Sequence, residues 1–323
     1  MISTLMGLFI LIAGAAPAQR AAMPVPPDVK PMSPTLEDVP YPHPVRYLPL
    51  TLYRHNVRMG YMDVAPLGQA NGHTVVLLHG MNFYGEYWAG TIEVLRKEGF
   101  RVIVPDQVGF GRSTKMSDIP YTISDMATNT RTLLNALGVS KAMIVGHSMG
   151  GMVATRFALL YPESTEKLVL YNQIGLTDAR LERGPANVDA IYKNLLNQTY
   201  DSVYQSIARY FPNGMKPEYE RYVKVQYGWS LSGNWPEAAM VRALAQQMVY
   251  EDPVVYDWAH IKVPTMELGG DKDGPNFPQL AKKACDTIQH CELVLLPNLG
   301  HVPHLEAPDV FYKALLKFLK AGS

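Results

Sequence analysis

The sequence predicts an α/β fold: a mostly parallel, doubly wound sheet into which one helical cap is inserted. Three observations lead there. Short, nearly continuous apolar runs at 74–79, 101–105, 142–145, 167–171, 264–268 and 292–296 have the pattern of strands buried on both faces. Stretches of helical character at 84–98, 123–137 and 149–161 separate the first four of these runs, and such β-α-β-α alternation implies a parallel sheet. The alternation stops after 171 and resumes at 264, and the intervening residues contain no strand-like run.

Taken in order, the chain begins with an apolar run, 5–16, that is short for a membrane span and ends in Ala16-Pro17-Ala18, the small-x-small pattern a signal peptidase accepts. Residues 1–18 therefore read as a signal peptide. The expected location is the periplasm or the medium after cleavage near Ala18, with no stable membrane anchor. No Lys or Arg precedes Arg20, so an uncleaved anchor is the alternative. Residues 19–45 form a proline-rich linker, with prolines at 24, 26, 27, 31, 34, 40, 42 and 44, a spacing that forbids helix and interior strand. An extended tether is the expectation, and a docking ligand for a partner is the alternative. Two strands follow, at 47–53 and 57–64, joined by a short turn. The core then comprises 46–171 and 259–323, closing with a helix at 308–319, and the cap comprises 172–258. The cap is dense in aromatics, among them Tyr192, Tyr210, Tyr222, Trp229, Trp235 and Trp258. Most are expected to pack cap helices, and a few to line an apolar cleft over the site.

Bulk properties narrow the function. Lys plus Arg and Asp plus Glu each number 29, no segment concentrates basic residues, and nucleic acid is not an expected partner. With 47% hydrophobic and 18% charged residues, the chain has ample material for a buried core. The two cysteines, Cys285 and Cys291, stand six apart and either bridge the intervening turn or remain free thiols. With the scattered histidines they make no ligand cluster, so neither a metal nor an organic cofactor is implied. Nothing indicates an oligomeric state.

Gly146-His147-Ser148-Met149-Gly150 follows the strand 142–145 and opens the helix 149–161. A G-x-S-x-G in that setting is a nucleophile elbow, a sharp turn that exposes the serine hydroxyl over a helix N-terminus. Leu78-His79-Gly80-Met81 ends an earlier buried strand, and the N–H groups of Met81 and Met149 are candidates for an oxyanion hole. His79 reads as structural, and His147 is expected to point away from the site. His301, after Asn298-Leu299-Gly300 beyond the last strand, has the best claim as a base at the carboxyl edge of the sheet. His304 reads as a supporting or surface group, and His43, His55, His73, His260 and His290 have no placed partner. The loop 269–274 offers Asp271 and Asp273 as the acid. Asp271 lies against the strand end, whereas Asp273 has cleared it and can reach the histidine loop.

The order Ser148, Asp273, His301 joins LLHG at 77–80 with Trp88 downstream, PDQVGFGRS at 105–113, GHSMGG at 146–151, GGDKDG at 269–274 and GHVPHLEAPDVF at 300–311. On these segments the chain from about 74 to 319 resembles the capped α/β-hydrolase family of carboxylesterases, carbon-carbon bond hydrolases, haloalkane dehalogenases and epoxide hydrolases. The resemblance implies the α/β-hydrolase fold and supports Asp273, which stands three residues after Gly270 as the family's acid usually does. It also implies a structural role for Asp106 and 109–113. Dehalogenases and epoxide hydrolases place aspartate where Ser148 stands, proline iminopeptidases usually carry tryptophan at Met149, and carbon-carbon hydrolases often carry asparagine at His147. The expectation is therefore a serine hydrolase, carboxylesterase-like, cleaving an ester of a small to medium apolar molecule. A carbon-carbon hydrolase, a lactonase or an amidase with the same triad is the alternative, and a non-catalytic binding protein on this scaffold is the rival from another class.

Overall fold

A computed structural model describes residues 22–185 and 187–322. The expected signal peptide lies outside the described residues. The eight strands are β1 (Val45–Leu52), β2 (His55–Val64), β3 (Thr74–Leu78), β4 (Arg101–Pro105), β5 (Ala142–His147), β6 (Thr165–Tyr171), β7 (Thr265–Gly270) and β8 (Cys291–Leu296). They form one sheet in the order β1-β2-β4-β3-β5-β6-β7-β8. Only β1–β2 and β2–β4 pair antiparallel. The turn between β1 and β2 is tighter than predicted. Leu52 pairs with His55, leaving Tyr53 and Arg54 as a two-residue hairpin turn with φ of 48° and 72°.

The apolar runs alternate between two cores. Val76, Leu78 and Ile144 face one, with the helices α2 (Ile123–Ala136), α3 (Met149–Leu160) and α9 (Phe277–Thr287). Val75, Leu77, Met143 and Val145 face the other, with α1 (Ala89–Lys97) and α11 (Pro308–Lys320). A central strand must be apolar at every position because each face meets a helical layer. Between β6 and β7 the chain makes α4 (Ala179–Glu182), α5 (Val188–Leu196), α6 (Tyr200–Ala208), α7 (Glu220–Ser230) and α8 (Trp235–Glu251); the short α10 (Pro303–Glu306) precedes α11. Cys285 and Cys291 are joined as a disulfide between α9 and β8.

The proline-rich segment departs from the expected tether. Its backbone from Ala22 to Pro44 is irregular, as prolines require, yet Leu36 and Val39 are buried against Trp229 and Trp235. The Met32 N–H donates to the Gly228 carbonyl at 3.0 Å. A side chain at Gly228 would stand 2.5 Å from the Lys30 carbonyl, so α7 needs glycine where the segment crosses it. Tyr41 donates to Asp106 at 2.6 Å, and Arg112 to the Val39 carbonyl at 2.7 Å. Proline forbids regular structure but leaves apolar side chains free to bury, and here they fasten a strap across the cap and the loop after β4.

Candidate active site

The sheet reverses its winding at β3. β4 lies to one side of it and β5 to the other, and ligands of open α/β sheets bind at such a switch point, beyond the strand ends. Leu78 pairs with Gly146, so Gly80 and Ser148 leave the sheet at the same height. A Cβ on Gly80 would stand 3.0 Å from the Ser148 Cβ and 3.4 Å from its Oγ. Ser148 has φ 56° and ψ −121°, a left-handed conformation costing a side-chain-bearing residue about 1–3 kcal/mol. The fold holds it there: its N–H donates to the Tyr171 carbonyl at 3.0 Å, and its carbonyl accepts from Gly151 at 2.9 Å. A side chain at Gly146 would meet the Gly150 carbonyl at 2.1 Å, and one at Gly150 the Leu78 carbonyl at 2.3 Å, which is why the turn needs both glycines. Met149 is the first residue of α3, and among the described residues neither its N–H nor that of Met81 donates to another group.

His301 and Asp273 arrive from the loops after β8 and β7. Asp273 Oδ2 lies 2.8 Å from His301 Nδ1. A carboxylate only accepts, so Nδ1 carries the proton and Nε2 keeps its lone pair. The same Oδ2 accepts from Asn172 Nδ2 at 2.8 Å, while Asn172 Oδ1 accepts from the Gly270 N–H at 3.1 Å. Asn172 thus holds both the acid and the strand end that delivers it. Asp271 instead accepts from the Asn298 N–H at 2.7 Å and ties the two loops together. The His301 N–H donates to the Tyr210 carbonyl at 3.0 Å, and the Tyr210 ring stacks on the imidazole at 4.5 Å. Sequence reasoning named neither Asn172 nor Tyr210 as a site residue. Each lies on the inserted segment, with no motif around it.

The remaining histidines of the sheet edge are structural in geometry. His147 is fully buried, and its Nε2 donates to the His301 carbonyl at 2.7 Å while Nδ1 faces the Tyr87 hydroxyl at 3.0 Å. It supports the backbone of His301 from below. Burial holds its pKa well below the ordinary value, with nearby His301 and His304 adding to the effect. His304, expected to be a supporting or surface group, is buried; its Nδ1 meets the Tyr171 hydroxyl at 2.9 Å, and burial lowers its pKa to about 3. His79 donates to the Gly80 carbonyl at 2.9 Å and accepts from the Gln107 N–H at 3.0 Å. Three histidines for which the sequence places no partner meet carboxylates: His43 meets Glu93, His55 meets Asp118 and His73 meets Glu166. Asp106 accepts from the N–H groups of Gly85 at 2.6 Å and Arg112 at 2.8 Å, organising the 106–113 loop.

A cavity of about 400 Å³ opens between α5, α6, α7 and α8, bounded on the core side by Met81, Asn82 and Ile174. Ser148 is not in its wall. The cavity adjoins the elbow through Met81 and through Ile174, whose N–H donates to the Ser148 carbonyl at 3.3 Å. Its wall mixes Met81, Ile174, Leu195, Val203 and Val249 with polar groups, and the expected aromatics line a smaller adjoining pocket instead, where the cap residue Trp229 stands with Phe83, Tyr84 and Phe110. No aromatic residue lines the larger cavity, and Arg183, Arg209, Arg242, Gln198, Gln226 and Gln246 do. Buried cap aromatics such as Phe211, Tyr219, Trp229 and Trp235 pack against one another instead. Among the described residues no cluster of three His, Cys, Asp or Glu could hold a metal ion, and no helix is long and apolar enough to cross a membrane.

The profile of the alpha/beta hydrolase fold matches residues 73–308, most of the chain, so the protein belongs to the α/β-hydrolase family and is a hydrolase of small molecules. It is similar to a probable hydrolytic enzyme of known structure from Pseudomonas aeruginosa PAO1. That likeness has 39% identity and a TM-score of 0.87, and covers 90% of this chain and 99% of the other. Lipase 1 of Psychrobacter immobilis is 27% identical over 267 residues, 80% of this chain and 82% of that protein. The putative carbamate hydrolase RutD of Pantoea ananatis is 28% identical over 262 residues, 80% of this chain and 93% of that protein.

Proposed function

We propose that the protein is a serine hydrolase that cleaves an ester of small to medium size through an acyl-enzyme, with Ser148 as nucleophile, His301 as base and Asp273 as its orienting acid. The observation that carries this reading is the His301–Asp273 hydrogen bond of 2.8 Å at the same sheet edge as the strained elbow of Ser148. Because Nδ1 is occupied, Nε2 of His301 takes the Ser148 proton as Oγ bonds to the ester carbonyl carbon. The Met81 and Met149 N–H groups receive the oxyanion. Collapse breaks the ester C–O bond, and the leaving alkoxide takes the proton from Nε2. Water then gives its proton to Nε2 as it attacks the acyl carbon, and collapse breaks the bond to Ser148 Oγ, which takes that proton back from Nε2 as the acid leaves.

A fluorophosphonate probe tests the nucleophile. One adduct is expected, on Ser148, together with turnover of a p-nitrophenyl ester that Ser148→Ala lowers by several orders of magnitude in a folded protein. Labelling elsewhere, or activity surviving in the variant, overturns the assignment. We also propose that the protein works in the periplasm or the medium. The apolar run before Ala18 and the Cys285–Cys291 bridge support this. Mass spectrometry of the exported protein should find an N-terminus near Gln19, and an intact Met1 on membrane-bound protein would overturn it.

A further inference from the structure

We infer that the cap cavity is a carboxylate site, and that the ester cleaved at Ser148 carries a carboxylate which Arg242 receives. This rests on the ester-hydrolase reading above and specifies its substrate. The cavity walls hold three arginines, Arg183, Arg209 and Arg242, and no aspartate or glutamate, in a chain whose charges otherwise balance. Arg183 and Arg209 are exposed, whereas Arg242 is only 5% exposed.

The Arg242 guanidinium is held by neutral groups. It donates to Asn82 Oδ1 at 2.7 Å, its Cζ stands 5.9 Å from the centre of the Trp229 ring, and its buried Nε has no partner. No carboxylate pairs with it among the described residues. Arg101 by contrast has Asp63, and Arg156 has Asp252 and Asp257, while the partly buried Arg112 and Arg131 are answered by backbone carbonyls. An unpaired buried charge is costly, and a guanidinium cannot shed its charge. Burial lowers the pKa of Arg242 only to about 10, so it remains a cation at neutral pH. Gln226, 8% exposed, shares Asn82 Oδ1 with Arg242 through its Nε2 at 3.4 Å, and its free Oε1 is an acceptor for a donor group of the ligand, not for the carboxylate. A volume of about 400 Å³ suits a small molecule. Asn82 follows Met81 in the chain, so an anion on Arg242 sits one residue from the proposed oxyanion donor, with Ile174 on the side towards Ser148. One buried guanidinium matches a monoanion, and its fork of donors matches a carboxylate.

The test compares mono-4-nitrophenyl adipate with 4-nitrophenyl methyl adipate, which differ only in the free carboxylate. The wild-type protein should favour the free acid in kcat/KM by tenfold or more. Arg242→Gln should cut that preference tenfold or more, and Arg242→Lys should retain part of it. Gln246 stands four residues from Arg242 on α8, on the same helix face, so Gln246→Glu should pair the guanidinium internally and abolish the preference with Arg242 intact. This second variant carries the test if Arg242→Gln does not fold. A purely structural Arg242 would slow both esters in parallel, and an unchanged ratio overturns the proposal, as do equal wild-type rates on the two esters. Should the wild type cleave neither ester, the ester reading fails separately. Calorimetric titration of Ser148→Ala with monomethyl adipate still reads the site: binding lost in the double variant Ser148→Ala, Arg242→Gln supports it, and no binding overturns it.

Discussion

The carboxyl edge of the sheet and the cavity beneath the cap treat buried ionisable groups in opposite ways. At the sheet edge the acid and the histidines around the elbow are answered from within, His304 Nε2 excepted. Asp273 has His301 and Asn172, His147 has the His301 carbonyl and Tyr87, and His79 has Gly80 and Gln107. In the cavity Arg242 meets one neutral amide and an aromatic ring. The difference separates what must be rigid before substrate arrives from what substrate is left to complete. A base that turns over many times needs a fixed tautomer and direction, whereas a recognition group is strongest when its partner comes with the ligand.

The largest effect should come from breaking the internally answered side. Asp273→Asn replaces an acceptor-only group with an amide, leaving His301 free to take the wrong tautomer and its imidazolium unsupported. A loss of roughly a thousandfold or more in turnover is expected, as in other triads. Asp271→Asn weakens only the contact to the Asn298 N–H and should cost far less. Steady-state kinetics of both variants on one activated ester compare them, and the reverse ranking would move the acid to Asp271.

Asn172→Ala should fall between them. It removes the amide that donates to Asp273 and accepts from Gly270, so the acid keeps its chemistry and loses its anchor. A drop of about ten- to a hundredfold in kcat is expected, corresponding to roughly 1.4–2.7 kcal/mol, with KM changing little. An effect confined to KM would place Asn172 on the substrate side of the contrast.

The sheet edge was legible in the sequence because its determinants are local. A strand, a tight glycine turn and a helix start specify the Ser148 elbow within ten residues, and Gly270 to Asp273 and Gly300 to His301 are equally short. The residues that were missed act across the fold. Asn172 reaches Asp273, 101 positions away in the chain, and nothing beside it in sequence marks it. The strap from Ala22 to Pro44 read as a tether because proline content reports what the backbone cannot form. It does not report that Leu36 will find Trp229. The cavity was misread for the same reason. Aromatic counts describe the cap as a whole, whereas the lining is set by which residues of α5 to α8 turn inwards, and those are three aliphatics, two serines, two glutamines and Arg242, with no aromatic among them.

Glu267 supplies the control for Arg242, since it too is buried without an ion-pair partner among the described residues, but a carboxyl can shed its charge by taking a proton. It lies on β7 with no exposed surface. One oxygen accepts from Gln173 at 2.8 Å and the other has no partner. Burial pushes its pKa well above the ordinary 4.5, with the Gln173 hydrogen bond pulling weakly the other way. For a group raised in the folded state, the stabilisation is complete below the unfolded pKa and is lost as pH rises through the folded one. Glutamine keeps the shape and cannot titrate. Glu267→Gln should therefore change little near pH 4 and stabilise at pH 8 by about 1–3 kcal/mol, or roughly 2–6 °C in Tm for a chain of this size. Thermal unfolding at the two pH values reads the difference. An equal gap at both would mean that burial leaves Glu267 unperturbed. In that case the interior would tolerate a lone charge without neutralising it, and the unpaired state of Arg242 would no longer demand an anion from outside.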